Sequence, residues 1–422
     1  MLKICALVFG FSLSLVQAQN SAISFFEVEQ DSIKKNFFLK QLGNGYFPTK
    51  YFDFDLRYLV KYNQYEGLRT GLGGVTNKNF SEKFKINGYT VYGFRDDAYK
   101  YSVGGSVRLS ESTNTWLNLS YTDDLQETGS SKFLTDTRFF QFFEPRLLNI
   151  DLFHKHITQA ISLEHQIHPK LSSVVQFAIS NVEPTYNYQF NLDGTAFNRF
   201  QLSTSTLSLQ WNPFNKFKAI ENIPREMKEG YPKFTLQYTK SIKDAFKGDF
   251  NFSKLDFKTI HRVEHRNNNL SEITLVSGIA RGDVPLTHLY HAYPNNITKE
   301  TILQRFSVAG ITSFETMYFN EFFSDKFTTI QFKHFLKPFD ISQRYKPQLV
   351  LISRFAIGDM NSPERHQNVT FGSLKKGYTE SGFEINKLLF GFGLSFTYRY
   401  GGYHLPNFED NIAFKFTFNL TL

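Results

Sequence analysis

Histidines and carboxylates are the residues of this sequence that could bind a metal ion or catalyse a reaction. His261 and His265 share a parity, with Glu264 between them, and His154 and His156 do the same. In an extended strand each pair would lie on one face. A metal site needs further ligands held in a fixed geometry, and the sequence supplies none beside either pair. We interpret these histidines as surface or lumen side chains.

The sequence also lacks the local motifs by which common enzyme classes are recognised. The sequence contains no G-x-S-x-G, no H-E-x-x-H and no glycine-rich phosphate-binding loop. Its single cysteine, Cys5, lies near the start of the chain, so we expect the mature protein to have no cysteine. This excludes disulfides, thiol catalysis and cysteine metal sites. We predict a protein that is not an enzyme and that has no cofactor and no metal.

Charged side chains recur at alternate positions of otherwise apolar segments. In a strand with one apolar face, such charges lie on the opposite face, which in a membrane barrel is the lumen. The predicted lumen charges are Asp53, Asp55, Arg57, Lys100, Arg108, Glu380, Glu384 and Arg399. They would form a selectivity ring only if they converged at one level of the lumen, which the sequence does not show.

The clearest alternation is in the last stretch of the sequence, I-A-F-K-F-T-F-N-L-T-L, residues 412–422. About 9–11 tilted residues suffice for a strand to cross the hydrocarbon core of a bilayer. We predict that this stretch is the last strand of a barrel, that it pairs with the strand at Phe52–Asn63, and that the chain ends at this seam. The apolar seam residues are Phe414, Phe416, Phe418, Leu420 and Leu422.

Fifteen further segments alternate in a similar way, although less cleanly. The sixteen predicted strands are 52–63, 67–77, 82–95, 99–109, 115–124, 156–167, 170–182, 202–211, 231–240, 251–264, 270–282, 324–336, 346–358, 376–386, 388–400 and 412–422. An even number of antiparallel strands can close into a barrel without exposed edges. The long stretch Leu125–Phe153 is predicted to be a surface loop.

We therefore predict an all-β fold, a transmembrane antiparallel β-barrel of about 16 strands. A soluble all-β protein is the alternative, but its outer faces should be polar, whereas these carry Phe, Tyr and Leu. Aromatic residues make up 17% of the chain, with 48 Phe and 22 Tyr. A barrel with a lipid-facing band and aromatic girdles accounts for that composition.

The start of the sequence predicts export. M-L-K precedes an apolar run, Ile4–Val16, and Ala18 follows, which is the pattern of a cleaved signal peptide over 1–19. We interpret 20–50 as a periplasmic tail or partial plug and 51–422 as the barrel, located in the bacterial outer membrane after cleavage. No later run of 18 apolar residues predicts a helical membrane span.

The formal charge of +8 comes from basic residues scattered along the predicted strands rather than clustered. This disfavours nucleic acid as a partner. Anionic head groups of outer-membrane lipid are the partner that the charge favours.

Several motifs resemble a more particular family. They are K-Y-N-Q-Y-E-G-L-R (61–69), Y-G-F-R-D (92–96), W-N-P-F (211–214), Y-P-K-F-T-L (231–236), G-D-V-P-L (282–286), S-F-E-T-M (313–317), N-E-F-F-S-D (320–325) and G-Y-T-E-S-G (377–382). In this order they resemble the barrel region of a Bacteroidota outer-membrane family of unknown function. Its longer members carry an N-terminal carboxypeptidase-regulatory-like domain. The resemblance covers about Gly43 to Leu422.

That family's barrel is in turn similar to the sixteen-stranded barrels of the BamA/TamA surface-antigen superfamily, which fold and insert other barrels. The similarity implies that a long loop after the eleventh strand, here Asp283–Phe323, folds into the lumen. The superfamily loop carries an Arg-Gly-Tyr/Phe tip, whereas this chain has Glu315-Thr316-Met317, so the arginine that pins the loop to the wall is replaced. The loop residues of interest are Asp283, Pro285, Glu315, Met317, Glu321 and Asp325.

A second departure concerns the N-terminal side. Superfamily assembly factors have periplasmic POTRA domains that receive substrate, and residues 20–50 are too few for one. The resemblance therefore implies a barrel without those domains. We expect a non-enzymatic accessory or receptor-like component of an envelope assembly or transport machinery, with other outer-membrane or periplasmic proteins as possible partners. A passive or selective channel for small solutes is the alternative, and an outer-membrane hydrolase or lipid-modifying enzyme is a third hypothesis.

Overall fold

A computed structural model of the chain describes residue 38, residues 41–136, residue 146, and residues 149–220, 223–299, 307–342, 345–389 and 391–418. The predicted signal peptide and most of the predicted tail lie outside these residues. None of the helical segments in the described part of the chain has the length and apolarity of a membrane-spanning helix.

The described residues form strands of 2 to 16 residues. They are β1 (Tyr46–Pro48), β2 (Phe52–Asp55), β3 (Val60–Asn63), β4 (Gly67–Thr76), β5 (Phe84–Gly93), β6 (Ala98–Ser110), β7 (Thr115–Glu127), β8 (Phe153–His168), β9 (Leu171–Pro184), β10 (Gln189–Leu192), β11 (Thr195–Phe197), β12 (Phe200–Trp211), β13 (Lys216–Ile220), β14 (Ile223–Lys228), β15 (Lys233–Ser241), β16 (Phe252–Glu264), β17 (Leu270–Gly282), β18 (Pro294–Asn296), β19 (Ser307–Val308), β20 (Phe314–Tyr318), β21 (Lys326–Phe335), β22 (Gln348–Asp359), β23 (His366–Gln367), β24 (Tyr378–Leu389), β25 (Phe392–Gly401) and β26 (Ile412–Phe418). Short 3-10 helices occupy Leu56–Tyr58, Ala245–Lys247, Leu286–His288, Pro363–Arg365 and Phe408–Asn411.

One large antiparallel sheet contains all sixteen predicted strands in sequence order. Its wall runs from β2 and β3 through β4–β9, β12, β15–β17, β21, β22, β24 and β25 to β26, and each strand pairs with the next. Boundaries differ most at the fifteenth prediction, 388–400. There β24 continues to Leu389, and the turn comes at Gly391, whose φ of 84° suits glycine.

The alternation places an apolar belt on the outer face of this sheet. In β26 Phe414 and Phe416 are exposed, while Lys415 and Thr417 are buried on the inner face. Outward residues of other strands are exposed in the same way, among them Leu72, Val103, Leu119, Ile161, Leu207, Leu236, Leu255, Ile330 and Leu351. A soluble protein rarely exposes so continuous an apolar surface, so this belt fits contact with lipid.

The sheet curves around the described residues of the loop 283–325, which confirms the predicted inward fold of the loop for those residues. Tyr290 of the loop hydrogen-bonds Asp256 of β16 at 2.5 Å, and His291 contacts Glu127 of β7 at 2.6 Å. The same loop contacts β24 and β26, as described below. Because one loop reaches strands from both halves of one face, that face must be concave.

The stretch Leu125–Phe153 was predicted to be a surface loop, and this prediction is wrong for its described residues. Strand β7 continues to Glu127, and the chain then turns inward. Phe133 is 7% exposed in the interior cluster, and Thr135 accepts a hydrogen bond from Thr235 of β15 at 2.9 Å. Burial of the phenyl ring favours this inward course.

An aromatic cap covers the end of the sheet that carries the loop 283–325. A small sheet of β10, β11 and β23 belongs to it, and its interior contains Tyr188, Phe190, Phe250 and Phe323, each no more than 2% exposed. The connections at the opposite end are mostly short, such as 111–114, 169–170 and 265–269. The exceptions there are 212–232, which contains the hairpin β13–β14, and 336–347.

The edges of the sheet differ from the prediction in two ways. The expected first strand, 52–63, is divided by a 3-10 turn at which the Asp55 carboxylate accepts from the Arg57 backbone N–H at 3.1 Å. Strand β26 was expected to pair with this first strand. Instead its free edge carries β19 in parallel pairing, Ser307 with Lys415 and Val308 with Phe416, and no described pairing joins β1–β3 to β26. Leu420 and Leu422 of the predicted seam lie outside the described residues, as does the side chain of Phe418.

Candidate functional site

The inner face of the last wall strands, where the loop 283–325 meets them, contains a group of mostly buried charges. We call this the loop–wall site. It comprises Glu315, Thr316 and Glu321 of the loop and Arg354, Glu380, Arg399 and Lys415 of the wall. In the paired strands β22, β24 and β25, the residues Arg354, Glu380 and Arg399 are register neighbours. Strand alternation therefore aims all three side chains at the loop.

Glu380 is the centre of the site. Its carboxylate accepts the backbone N–H groups of Glu315 and Thr316, both at 2.9 Å, and the Thr316 hydroxyl at 2.6 Å. The Arg354 guanidinium donates to it at 2.7 Å, and both charged side chains are fully buried. Charge-assisted bonds of this kind are about twice as strong as neutral ones. Glu380 thus holds the loop tip through the loop's own backbone.

A second attachment joins the loop tip to the terminal strand. Lys415 lies 3.1 Å from the Glu315 carboxylate, and each side chain is 1% exposed. Glu315 also accepts from the Ser313 hydroxyl at 2.7 Å, the Asn295 amide at 2.8 Å and the Gly310 N–H at 3.1 Å. Burial alone would raise the pKa of the Glu315 carboxyl, but the positive charges of Lys415 and Arg354 and these donors hold that pKa below its ordinary value. Glu315 is therefore a buried carboxylate.

A third attachment lies towards the cap. Arg399 donates to the two carboxylate oxygens of Glu321 at 2.6 and 3.1 Å, a fork that fits a guanidinium. The same guanidinium lies 4.7 Å above the ring of Tyr378. In this site the loop supplies carboxylates and backbone N–H groups, and the wall supplies the arginines. Within the described residues of the loop, these attachments use no arginine of the loop itself.

The other predicted loop residues line the path of the loop between the wall and the cap. Pro285 is buried at the start of the 3-10 turn, and Met317 is fully buried in the interior cluster. Asp283 pairs with Arg365 of the connection 360–377 at 2.6 Å. Asp325 accepts from the backbone and side chain of Asn361 at 2.8 and 2.7 Å. All six predicted positions therefore contact another part of the fold.

The predicted lumen charges do not gather in one ring. Glu380 and Arg399 belong to the loop–wall site, and Glu384 lies beside it on β24, 3.6 Å from Lys333. Lys100 belongs to a second group, which we call the first-strand cluster and which comprises Glu66, Arg69, Asp96, Lys100 and Asp124. The remaining four charges lie apart from both groups: Asp53 near Asn77, Asp55 with Arg57, and Arg108 near Glu111.

In the first-strand cluster Glu66 is fully buried and lies 2.9 Å from Lys100 and 3.2 Å from Arg69. Arg69 also binds Asp124 of β7 through two bonds of 2.7 and 2.8 Å, and Lys100 pairs with Asp96 at 2.5 Å. Each cation thus has two carboxylate partners. The cluster fastens neighbouring strands to one another.

Arg354 and Lys415 were not among the predicted site residues. The signal for Arg354 is its place on the inward parity of β22, where Val350, Ile352 and Ala356 are the other buried side chains. A lone arginine among buried apolar residues needs a partner. Lys415 is the single charge on the polar parity of the terminal strand.

The histidines do not form a metal site within the described ranges, which contain no group of three or more His, Cys, Asp or Glu side chains suited to a metal ion. His261 is exposed on β16. His154 is 2% exposed, and its ring lies 6.0 Å from that of His288 in the loop.

Comparison with known proteins places this geometry in context. The sequence pattern of the family described as "Family of unknown function (DUF5686) C-terminal domain" matches residues 42–337. No curated protein sequence matches the chain.

Two solved structures are similar in fold. BamA from Haemophilus ducreyi lacking POTRA domains 1-3 superposes with a TM-score of 0.52 at 12% identity, over 85% of this chain and 68% of that one. CdiB from Acinetobacter baumannii gives a TM-score of 0.43 at 10% identity, over 84% of this chain and 57% of that one. The predicted resemblance to a family of unknown function and to the BamA barrel fold is confirmed.

Proposed function

This chain belongs to the DUF5686 C-terminal domain family of unknown function, and on that premise we propose that it is an integral outer-membrane β-barrel protein. Its role in this proposal is that of a non-enzymatic accessory or receptor-like component of an envelope assembly or transport machinery. The exposed apolar belt supports the membrane location, since a barrel in lipid needs an outward apolar band. The long connections and the cap lie at the end expected to face outward, with the short turns towards the periplasm.

The observation that carries the role is the pinned loop. Three attachments, made by Glu380, Lys415 and Arg399 of the wall, hold the described part of the loop 283–325 against the wall. The same loop places β19 on the edge of β26, where the prediction had the first strand. A barrel whose seam and interior are both occupied by one loop is suited to contacts with other proteins rather than to free passage of solutes.

Purification from native membranes in mild detergent tests this role. We expect other envelope proteins to co-elute with the wild-type chain. The Glu380→Gln variant, which releases the loop tip, should change their recovery, and the matched control Glu384→Gln on the same strand should not. Recovery of a lone barrel, with no partner at stoichiometric amounts, would contradict an accessory role.

The channel alternative is tested separately in planar bilayers. The interior contains the loop 283–325 and the inward residues of 128–136, so we expect almost no steady conductance from the wild-type protein. A large conductance that changed on removal of Arg57 or Arg399 would favour a channel and overturn the proposal.

A further inference from the structure

The first part of the connection between β15 and β16, residues 242–249, lies against the outer face of the sheet, whereas Phe250 turns into the cap. The Ile242 N–H donates to the Ser203 carbonyl of β12 at 3.0 Å, and the Gln201 side-chain amide donates to the Phe246 carbonyl at 2.6 Å. Ser203 has the outward parity of Leu207, yet it is 1% exposed. Its burial shows that the connection covers this part of the lipid-facing surface.

The connection also presents an aromatic ring to the surroundings of the barrel. The Phe246 ring lies 5.3 Å from that of Phe177, an outward residue of β9, and is 64% exposed. Phe246 and Lys247 have φ values of 46° and 63°, a left-handed conformation that is costly for bulky residues. The ring continues the apolar belt formed nearby by Val175, with 47% exposure, and by Leu207.

Charges of both signs lie next to this ring. Lys243 and Lys247 flank Phe246, and neither ammonium has a hydrogen-bond or ion-pair partner among the described residues. A hollow of about 520 Å³ lies between this connection and the hairpin β10–β11. Its charged lining consists of Lys243, Lys247, Asp193, Asp244 and Asp249. Among these, Asp249 is partly used, since it accepts from the Gln201 N–H at 2.6 Å.

We propose that residues 242–249 bind a single membrane lipid that carries a phosphoethanolamine group. Its acyl chain contacts Phe246 and Phe177, its phosphate pairs with Lys243 and Lys247, and its ammonium donates to the carboxylates of the hollow. A purely anionic head group leaves those carboxylates unpaired, and choline has no N–H to donate. The proposal rests on the membrane location proposed above.

Native mass spectrometry of the purified full chain with added phosphatidylethanolamine, phosphatidylglycerol or phosphatidylcholine tests the head group. We expect one retained phosphatidylethanolamine and at least a threefold lower occupancy of the other two.

The double variant Lys243→Gln/Lys247→Gln should lose the bound lipid. Asp193→Asn/Asp244→Asn should lose the preference over phosphatidylcholine. The control Lys78→Gln/Lys83→Gln, at the opposite end of the barrel, should bind as wild type. Equal occupancy of the three lipids, or retention by the lysine double variant, would overturn the proposal.

A second measurement separates this proposal from the membrane location. In a Trp116→Phe/Trp211→Phe background, which removes both natural tryptophans, Leu207→Trp reports the apolar belt and Phe246→Trp reports the connection. Each is measured by fluorescence quenching with brominated acyl chains in nanodiscs. We expect quenching at both positions. Quenching at 207 alone would overturn the lipid site and leave the membrane location intact, whereas quenching at neither would overturn both.

Discussion

The loop–wall site and the first-strand cluster contain the same kinds of ion pair, but they stabilise different parts of the fold. Both consist of buried carboxylates paired with lysine and arginine. In the first-strand cluster the bonds join strands of adjacent hairpins, such as Arg69 of β4 and Asp124 of β7. In the loop–wall site they join a loop to strands that are not its neighbours in the chain, such as Thr316 and Glu380. Removing a charge should therefore loosen the sheet in one case and release the loop in the other.

The largest effect is expected for Glu380→Gln. The amide provides one acceptor oxygen in place of two and removes the carboxylate that is paired directly with the buried Arg354, which keeps only the more distant charges of Glu315 and Glu384. Breaking a buried ion pair in this way costs about 3–5 kcal/mol. Thermal unfolding in detergent should show the loss, and limited proteolysis should cleave 307–318. Glu384→Gln is the control, and equal protease sensitivity of the two variants would contradict the central place of Glu380.

Lys415→Met should have the next largest effect. It removes the cation of Glu315, which keeps its bonds from Ser313, Asn295 and Gly310, so we expect a loss of about 2–3 kcal/mol. Because the backbone of Lys415 pairs with Ser307 of β19, hydrogen exchange at 307–309 should rise. Thr417→Val is the control on the same strand as Lys415: it removes a hydrogen bond to Asn386 of β24 and should leave that exchange unchanged.

Glu66→Gln should have a smaller effect and a different pattern. Lys100 retains Asp96 and Arg69 retains Asp124, so neither cation is left alone. We expect a loss of about 1–2 kcal/mol in the free energy of unfolding, without new cleavage at 307–318. If Glu66→Gln were cleaved at 307–318 as readily as Glu380→Gln, the two sites would act as one unit. That result would contradict the distinction drawn between them.

The smallest effect is a response to acid in the cap. Burial lowers the pKa of His366 to about 4, with a further contribution from Arg365, and its ring binds the Tyr188 hydroxyl at 2.9 Å. When the cap opens, the pKa of His366 returns to its ordinary value of 6.5, so between pH 6.5 and 4 the opened cap binds more protons than the closed cap. The stability of the closed cap therefore falls as the pH falls through this window. Hydrogen exchange at 186–197, corrected for intrinsic rate, should increase at pH 5.

His366→Asn should reduce this acid response, since it removes the titrating ring and keeps a hydrogen-bonding side chain. His288, whose pKa is lowered to about 3 chiefly by burial, retains a response of the same sign in that variant. An acid response of unchanged size in His366→Asn would assign the effect to other groups.

The sequence predicted what depends on period-two alternation and missed what depends on distant contacts. The wall strands are predictable because apolar and polar residues alternate along much of their length, which is a local signal. The sequence predicts a surface loop around Phe133 because nothing local shows that its ring is buried in the interior cluster. Arg354 was overlooked because its partner, Glu380, is on another strand, and the pairing of β26 with β19 has no counterpart in the alternation of either segment.

The attachment of the loop to Lys415 also has a consequence for the order of folding. Its ammonium donates to the Asn295 carbonyl, which is 120 positions earlier in the chain. Contacts of such sequence separation form late, because the entropy of closing the intervening chain must be lost first. The loop therefore cannot reach its final position until β26 is in place. Completion of the wall and filling of the interior become one event, so an intermediate that lacks the last strand should be hollow and sensitive to protease.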